Sequence, residues 1–396
     1  MTIRTGNARL IKEINTSLIM EEMRKNDQIT RNELARLTGL TPPTVLHIVA
    51  DLIDLGLVRE MELGESSGGR RPRMLQLNPD GGYVIGVEID DDFNRLCLAD
   101  LSVRIRAKMR IPNESLVPEK VLASVSKGIE SLIEQAGVER ARILGVGMAV
   151  PGLVDSYRGI CVNSTRLGWQ NVHIKEWIEQ QTNLPTEVDH SVRVIALAES
   201  RFGAAANASN MIFLRIGRGI GAAFVIDDLV YQGSNGSLGE LGHMVVWPHG
   251  PKCRCGLEGC LEAIASEEAL VMKYREVCEG NCPSELTGEK VVDLAETDKS
   301  AALVCKEAGY YLGVALANCV KLINPELIVI TGYLKSGTVM WEQMRQIINE
   351  QVFPSQSAPL RIVPGELVEN ACVLGGCALV LDEIYSKPRE LRARIG

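Results

Sequence analysis

The sequence contains no apolar stretch as long as the ~18 residues that a membrane-spanning helix requires. Its first residues, MTIRTGNARLIKEIN, lack the apolar segment and the small-residue cleavage site of a secretory signal peptide. Internal repeats and low-complexity tracts are also missing from the sequence. These absences argue against a membrane protein and a secreted protein, and they predict a cytoplasmic location.

An excess of positive charge is missing as well. The sequence has 42 lysines and arginines against 50 aspartates and glutamates, for a net charge of −8. The chain as a whole is therefore no polycation, and any surface that binds nucleic acid must be local. Hydrophobic residues make up 46% of the 396 residues, which is ample for cores in two or three domains of ~100–200 residues each.

Cysteine, in contrast, is plentiful, with eleven residues. In a chain without a secretion signal they indicate a reducing compartment, where metal binding is commoner than disulfide formation. Eight of these cysteines lie mostly in apolar surroundings, which is typical of small core residues. The eight are Cys97, Cys161, Cys278, Cys282, Cys305, Cys319, Cys372 and Cys377.

The other three cysteines and one histidine form the most specific pattern in the sequence. His243, Cys253, Cys255 and Cys260 fall within 18 residues. One imidazole and three thiolates are a common closed ligand set for tetrahedral zinc, and they leave no position for a catalytic water. We therefore predict a structural zinc ion as the cofactor. The alternatives are three unrelated thiols or a disulfide, but an odd number of cysteines at this spacing suits disulfides poorly.

The first 80 residues carry the pattern of a helix-turn-helix. A first helix is indicated over 8–26 by apolar residues at helical spacing: Leu10, Ile11, Ile14, Leu18, Ile19 and Met23. Thr30 and Glu33 form a capping-box pattern that opens a second helix. Gly39 ends that helix, and Thr41 is the expected N-cap of a third. Two short helices joined by a glycine-containing turn are typical of this motif.

A wing follows the helices. Residues 57–59 and 74–77 alternate like strands, and they flank a loop, 64–73, that is rich in glycine and arginine. We predict that this winged helix-turn-helix contacts DNA bases and phosphates with the third helix and the minor groove with the wing. The candidate contacts are Thr41, Thr44, His47, Arg70 and Arg71. A small helical interaction module is the alternative interpretation.

From Tyr83 onward the sequence alternates buried strand patterns with helical ones, which is typical of an α/β fold. The sequence 146–152 predicts a strand that runs into a tight turn. The glycine cluster 217–221 predicts a tight turn between two strands. A glycine cluster alone is weak support for phosphate binding.

With these residues in hand, the chain resembles the ROK family of repressors and sugar kinases. The resemblance rests on Pro-Gly-Leu-Val-Asp at 151–155, Ala-Leu-Ala-Glu at 196–199, the turn at 217–221, and the zinc stretch 240–262. It implies a two-lobed body with the actin/hexokinase-like (ribonuclease H-like) fold. A winged head ahead of this body is similar to the family's repressor branch, whose members are implied to be dimers or higher oligomers that bind palindromic operators and respond to a sugar.

The resemblance also implies a sugar site. Glu240, His243 and Glu262 match the Glu-x-Gly-His motif and the glutamate after the last zinc cysteine, which hold a sugar in the family's kinases. Carboxylates accept pairs of hydrogen bonds from vicinal hydroxyls, which suits this role. The alternative is that these carboxylates support the zinc loop. An Asn-Asp pair that binds sugar in the kinases is replaced here by His190 and Ser191.

Three departures from the kinase pattern predict that phosphoryl transfer is lost, so that no catalytic residue is expected. Ser191 stands where the catalytic base would lie, and a hydroxyl is a poor base at neutral pH. Asp90, Asp91 and Asp92 occupy the first phosphate loop, where they would repel a triphosphate. Arg218 replaces the usual threonine of the second phosphate turn.

The sequence therefore predicts a winged helix-turn-helix at 1–80, a first α/β lobe at 81–193 and a second lobe at 194–380. The second lobe is expected to carry the zinc site and an oligomerisation surface, and a C-terminal helix, 381–396, is expected to return to the first lobe. We predict a sugar-responsive repressor of a carbohydrate operon that forms a homodimer or homotetramer on palindromic operator DNA. A ROK sugar kinase with an appended head and a constitutive DNA-binding protein without a ligand are the alternatives.

Overall fold

The computed structural model describes residues 8–63, 73–234, 236–278, 282–352 and 360–386. Within these ranges, the longest apolar helices fall short of what is needed to cross a membrane. Contacts divide the chain into two compact units. The first comprises residues 1–191 and 372–396, as far as they are described, and the second comprises 192–371.

The head consists of three helices and a three-stranded sheet. Its elements are α1 (Ala8–Lys25), β1 (Ile29–Thr30), α2 (Arg31–Thr38), α3 (Pro42–Asp54), β2 (Val58–Leu63) and β3 (Arg73–Leu77), with sheet order β1-β3-β2. The capping box is confirmed, because Thr30 accepts from the Glu33 backbone and the Glu33 side chain accepts from Thr30. Gly39 ends α2 with φ +69°, a left-handed conformation that glycine adopts without strain. The winged helix-turn-helix fold is thus confirmed.

The helix predicted over 8–26 is confirmed as α1, but only part of its apolar side is covered. Ile19 and Met23 are buried. Ile11 and Ile14, however, are each 52% exposed, and Leu18 is also exposed. Apolar residues occur on two sides of α1, and only tertiary packing decides which side is covered. Here Ile19, Met20 and Met23 enter the core, while Ile11, Ile14 and Leu18 stay outside it.

The α/β part of the first unit is built on a five-stranded sheet of order β11-β7-β4-β5-β6. Its elements are β4 (Tyr83–Glu88), β5 (Phe93–Asp100), β6 (Ile105–Pro112), α4 (Pro118–Ala136), β7 (Ile143–Val150), β8 (Leu153–Asp155), β9 (Ile160–Ser164), β10 (Trp169–His173), α5 (Ile174–Thr182) and β11 (Thr186–His190). Strands β4, β7 and β11 are parallel, whereas β5 and β6 add antiparallel to β4. Strands β8, β9 and β10 form a small antiparallel sheet.

The second unit repeats this arrangement with sheet order β14-β13-β12-β15-β16. Its elements are α6 (Ser191–Phe202), β12 (Met211–Ile216), β13 (Ile220–Ile226), β14 (Leu229–Tyr231), α7 (Glu262–Ala265), α8 (Glu267–Val277), α9 (Gly288–Leu294), α10 (Lys299–Ile323), β15 (Leu327–Gly332), α11 (Val339–Gln351) and β16 (Arg361–Pro364). In each unit three antiparallel strands are extended by two parallel ones. This duplication confirms the predicted two-lobed α/β body.

The last described helix, α12 (Ala371–Ser386), belongs to the first unit from Cys372 onward. It lies against the sheet at two glycines. A Cβ added to Gly86 would lie 1.8 Å from the Val373 carbonyl oxygen, and one added to Gly147 would lie 1.8 Å from that of Gly376. Neither position can hold a side chain unless the helix moves. Close helix–sheet approach therefore fixes the place of α12.

Helix α12 and the head share one apolar core with this face of the sheet. Residues of the head, of β4, β5 and β7, and of α12 form a single buried cluster. Helices α4 and α5 cover the opposite face of the same sheet. The connector between head and sheet is also tied down, since Asn78 donates to the Gly56 carbonyl and Arg142 donates to the Asp80 carbonyl. The head therefore packs as part of the first unit.

Glu199, at the end of the Ala-Leu-Ala-Glu stretch, is fully buried in the second unit. Its carboxylate accepts backbone N–H bonds from Ala204 (2.9 Å), Glu366 (3.2 Å) and Leu367 (3.0 Å). The carboxylate thus fastens the segment that follows β16 to helix α6. This glutamate, which carried part of the family resemblance, has a structural role here.

Candidate functional site

The four predicted zinc ligands lie together in a loop between β14 and α7. The loop is closed by backbone bonds, including Cys253 N–H to the Leu257 carbonyl and Val246 N–H to the Gly259 carbonyl. Gly259 has φ +76°, and a Cβ there would lie 1.8 Å from the Trp247 carbonyl oxygen. Only glycine satisfies both conditions. The turn at Gly259 therefore brings the last cysteine back to the first two.

The ligand atoms are spaced as a tetrahedral metal requires. His243 Nδ1 lies 3.6 Å from Cys253 Sγ, and the Sγ atoms of Cys255 and Cys260 lie 3.6 Å apart. All four ligand atoms fall within 4.8 Å of one another. With Zn–S near 2.3 Å and Zn–N near 2.0–2.1 Å, tetrahedral geometry places neighbouring ligand atoms roughly 3.5–3.8 Å apart. The donor set and its spacing both fit a zinc ion.

The three thiols differ in their environment. Burial raises the pKa of the Cys260 thiol to about 12. The Leu257 backbone amide, in contrast, lowers the pKa of the exposed Cys255 thiol. Three sulfurs at this separation cannot all ionise without a compensating positive charge. A divalent metal would supply that charge, and protons would compete with it for the thiolates.

Glu240, His243 and Glu262 flank this loop in the second unit. Because His243 directs Nδ1 toward Cys253, its Nε2 faces outward, 3.9 Å from a Glu240 carboxylate oxygen. The Glu240 side chain is 57% exposed. Glu262 begins α7, and its Oε2 accepts the backbone N–H of Ile220 at 3.0 Å. One oxygen of Glu262 therefore supports the turn at 217–219.

His190 and Ser191 lie at the carboxyl end of β11, in the first unit. Ser191 is buried. Sequence counting missed the residue before them, Asp189, whose buried carboxylate accepts from Ser156 Oγ and from His190 N–H, both at 2.6 Å. A carboxylate is thus present two residues before the position assigned to the catalytic base.

Sequence analysis also missed Arg193, which is only 2% exposed. Its guanidinium donates to the Gly236 carbonyl at 2.6 Å, which ties the first turn of α6 to the segment that leads to Glu240. An arginine inside an apolar helical pattern gives no signal of burial. The full burial of so large a cation shows that it positions this segment from within the second unit.

Ion pairs hold the acidic side chains of the loop that matches the first phosphate loop of the kinase pattern. Arg166 contacts Asp90 at 2.8 Å and Asp91 at 2.7 Å, and Arg95 contacts Glu88 at 2.7 Å. Burial raises the pKa of Asp90. The carboxylates predicted from the sequence are therefore held by neighbouring arginines.

The second phosphate turn has the predicted form. Gly217–Gly219 is a tight connection between the antiparallel strands β12 and β13, with Arg218 at its tip. Inside the turn, Gly217 N–H donates to the Gly219 carbonyl at 2.9 Å. The turn is thus held by its own backbone and by the Glu262 carboxylate described above.

The candidate DNA surface lies at the start and along the outer side of α3. Thr41 and His47 are exposed, and the hydroxyls of Thr41 and Thr44 lie 2.8 Å apart. Lys12 of α1 reaches this surface, with Nζ 3.4 Å from His47 Nε2. Leu46, which sequence analysis did not select, is 57% exposed on the same helix. An exposed apolar side chain here suits contact with a thymine methyl group.

Arg70 and Arg71 lie outside the residues that the structure describes. The base of the wing is described, and there Glu60 on β2 pairs with Arg31 of α2 and with Arg73 of β3. These pairs lower the pKa of Glu60, with the hydrogen bond from Arg31 as the largest cause. The base of the wing is thus anchored, because Glu60 of β2 pairs with both α2 and β3.

A winged helix-turn-helix joined to a duplicated α/β body with a Cys/His loop defines a class of DNA-binding regulator. The chain belongs to the ROK family, whose model matches residues 84–383. A model described as winged helix-turn-helix DNA-binding matches residues 13–59. Both matches agree with the architecture above.

Known relatives include both regulators and kinases. The chain is 32% identical to the xylose repressor of Caldicellulosiruptor bescii, over 97% of this chain and 99% of the relative. A crystal structure of a ROK family transcriptional regulator, a homologue of the Escherichia coli MLC protein, matches with a TM-score of 0.85 and 30% identity over 98% of this chain and 99% of that one. A ROK hexokinase from Thermus thermophilus matches with a TM-score of 0.66 and 27% identity over 76% of this chain and 99% of that one.

Proposed function

We propose that this protein is a sugar-responsive transcriptional repressor that controls a carbohydrate uptake or catabolism operon. One observation carries the proposal: an exposed recognition helix, α3, is built into the same chain as a ROK body that aligns from end to end with a named xylose repressor. We further propose that the protein acts as a homodimer or homotetramer. A symmetric dimer places two heads on the half-sites of a palindrome, about one helical turn or a multiple of it apart.

The proposed effector is a sugar bound by Glu240, His243 and Glu262, with His190 and Ser191 as further candidates. The exposed Glu240 carboxylate and the outward Nε2 of His243 support this role, because both offer hydrogen bonds to hydroxyls. A zinc ion at the Cys/His loop would fix the tautomer and orientation of His243. The zinc is therefore proposed to be structural and to hold the sugar-binding side chains in place.

We propose that the body does not phosphorylate its sugar. The ion pairs of Arg166 with Asp90 and Asp91 support this, because they place side chains in a loop that would cradle phosphates with backbone amides. Asp189 is a buried carboxylate two residues before the replaced base, and it accepts hydrogen bonds from Ser156 and His190. It is therefore the residue to test for residual kinase activity.

The test measures DNA affinity and ATP turnover on one preparation of the protein. Duplexes selected by the full-length protein from a random pool are titrated with and without each sugar of a panel, and ATP turnover is measured with the same sugars. We expect one sugar to change operator affinity by roughly 5–150-fold, with no ATP turnover. Glu240→Gln should weaken the binding of that sugar to the protein by roughly 10-fold or more, because a hydrogen bond to a charged group is lost. Glu258→Gln, an exposed change in the same loop, is the control.

Three outcomes would contradict this proposal. Sugar-dependent ATP consumption that is lost in Asp189→Asn would identify a kinase with an appended head. Specific DNA binding that no sugar alters would favour a constitutive DNA-binding protein. A ligand shifts DNA affinity only through its different affinities for two states of the protein, so a sugar that binds without any effect on DNA also argues against the proposal.

A further inference from the structure

Strand β6 forms the outer edge of the first unit's sheet, and it presents a row of positive charge. We define the basic row as three exposed residues at alternate positions of β6: Arg106, Lys108 and Arg110. The residues between and after them, Ala107, Met109 and Ile111, pack toward α4 on the other side. Alternation along a strand thus places the three cations of the row on one side.

Most of this charge is not neutralised within the protein. Arg106 pairs with Asp100 at 2.9 Å and with Asp80 at 3.2 Å. Arg110 stacks on the Phe93 ring, with its guanidinium carbon 3.6 Å from the ring centroid. In the described part of the chain, no carboxylate pairs with Lys108 or Arg110. An acidic protein of net charge −8 therefore keeps two cations without a carboxylate partner in a single line.

The row lies on the same side of the sheet as the DNA-binding head. Lys108 is directly opposite Cys97 in the β5–β6 register, and directly opposed residues share a face. Cys97 belongs to the core formed by the head and α12, and its Sγ lies 3.7 Å from Cys377 Sγ. At the other end of the row, Arg106 pairs with Asp80 in the connector to the head. The row therefore starts at the head's attachment point and extends away from it.

We propose that the basic row binds the phosphate backbone of DNA that flanks the half-site held by the head. The proposal rests on the DNA-binding function proposed above. Successive row residues are roughly 6.6–6.8 Å apart along the strand, and the whole row spans about 13 Å. Each DNA strand carries one phosphate per 3.4 Å of helix axis, so about four base pairs match this length. Contacts to phosphates carry no base specificity, so the row would add affinity and fix the orientation of the first unit on the duplex.

The test compares two duplexes and two variants of the full-length protein. A sequence of about 20 base pairs, selected by the protein from a random pool, is prepared alone and with about 15 base pairs of fixed sequence on each side. The test variant is Lys108→Gln/Arg110→Gln, because neither side chain pairs with a carboxylate in the described structure. The control is Lys120→Gln/Lys127→Gln, which removes the same charge from exposed positions of α4 on the opposite face.

We expect the flanks to strengthen binding by the wild type and by the control but not by the test variant. Releasing two phosphate contacts should flatten the dependence of log K on log salt by about 1.8, which is roughly a 12-fold change in the relative affinity between 50 and 200 mM salt. All three proteins should bind the short duplex equally.

The proposal is overturned if the test variant keeps the full gain from the flanks, and an acidic protein partner would then be the better explanation of the row. If the test and control variants lost the gain from the flanks to the same extent, the proposal would be overturned too, since the loss would then reflect only the total charge of the protein. If the wild type selects no sequence at all, the proposed DNA-binding function fails, and this inference fails with it.

Discussion

Replacing Glu199 with glutamine should destabilise the second unit strongly, although the two side chains have nearly the same shape. Glu199 is fully buried, and its two oxygens accept three backbone N–H bonds. Oε2 accepts from Ala204 and Glu366, and Oε1 accepts from Leu367. Glutamine keeps only one acceptor oxygen and adds an NH2 group. Whichever way the amide is turned, at least one buried N–H then faces another donor.

The expected cost follows from these contacts. One buried donor without an acceptor costs about 1–3 kcal/mol, and each remaining bond loses the strength that a charged acceptor gives it. The sum is about 2–5 kcal/mol. The surrounding segments are in close contact with Glu199, because a Cβ at Gly203 or Gly365 would lie 2.1 Å or 2.8 Å from a carboxylate oxygen. There is therefore little space for the glutamine side chain to move away from the unpaired N–H.

Thermal unfolding of the full-length protein provides the assay. For a unit of this size, 1 kcal/mol corresponds to a shift of roughly 2–4 °C, so Glu199→Gln should lower the unfolding temperature by roughly 4–20 °C. Glu366→Gln removes the same charge from an exposed side chain of the neighbouring segment and should change stability by less than about 0.5 kcal/mol. If the two variants unfold at the same temperature, the assigned hydrogen bonds do not hold this segment.

Three further changes test other parts of the molecule. Gly86→Ala should lower the free energy of unfolding by about 1–3 kcal/mol in a thermal unfolding experiment and should weaken operator binding. The reason is that the added Cβ would displace α12 at the Val373 carbonyl and disturb the core shared with the head. Unchanged stability would contradict this packing. Cys253→Ser should abolish about one bound zinc per chain in elemental analysis, whereas Cys278→Ser should retain it. Leu46→Ala should reduce the preference for particular bases by about 1 kcal/mol in competition binding, and unaltered selectivity would remove this residue from the base contacts.

Local chemistry was predictable from the sequence. The capping box of Thr30 and Glu33 needs only residues three apart, and the structure forms it as predicted. The zinc ligand set also depends on residue type and short spacing, and the four side chains converge. Alternation of strands and helices sufficed for the α/β class, because central strands such as β7 and β15 are continuous apolar runs. The two-lobed body was predicted only through the family resemblance.

Features that depend on distant contacts were not predictable in this way. The exposure of Ile11 and Ile14 depends on where the sheet and α12 lie, and no periodicity contains that information. Arg193 is a charged residue, yet it is buried. Its hydrogen-bond acceptor is a carbonyl 43 residues away in sequence, which no local pattern reveals. Asp189 was missed because counting along a motif assigns a role to a position, whereas the fold brings a neighbouring side chain to Ser156.

The core shared by the head and α12 has a consequence for truncation of the chain. Apolar residues of the head and of α12, among them Leu381 and Ile384, are buried in the same cluster. Removing the head would expose apolar side chains of α12 and of the sheet to water, and removing α12 would do the same to the head. Either truncation would leave an apolar patch that favours aggregation, so head and body have to be studied in one chain.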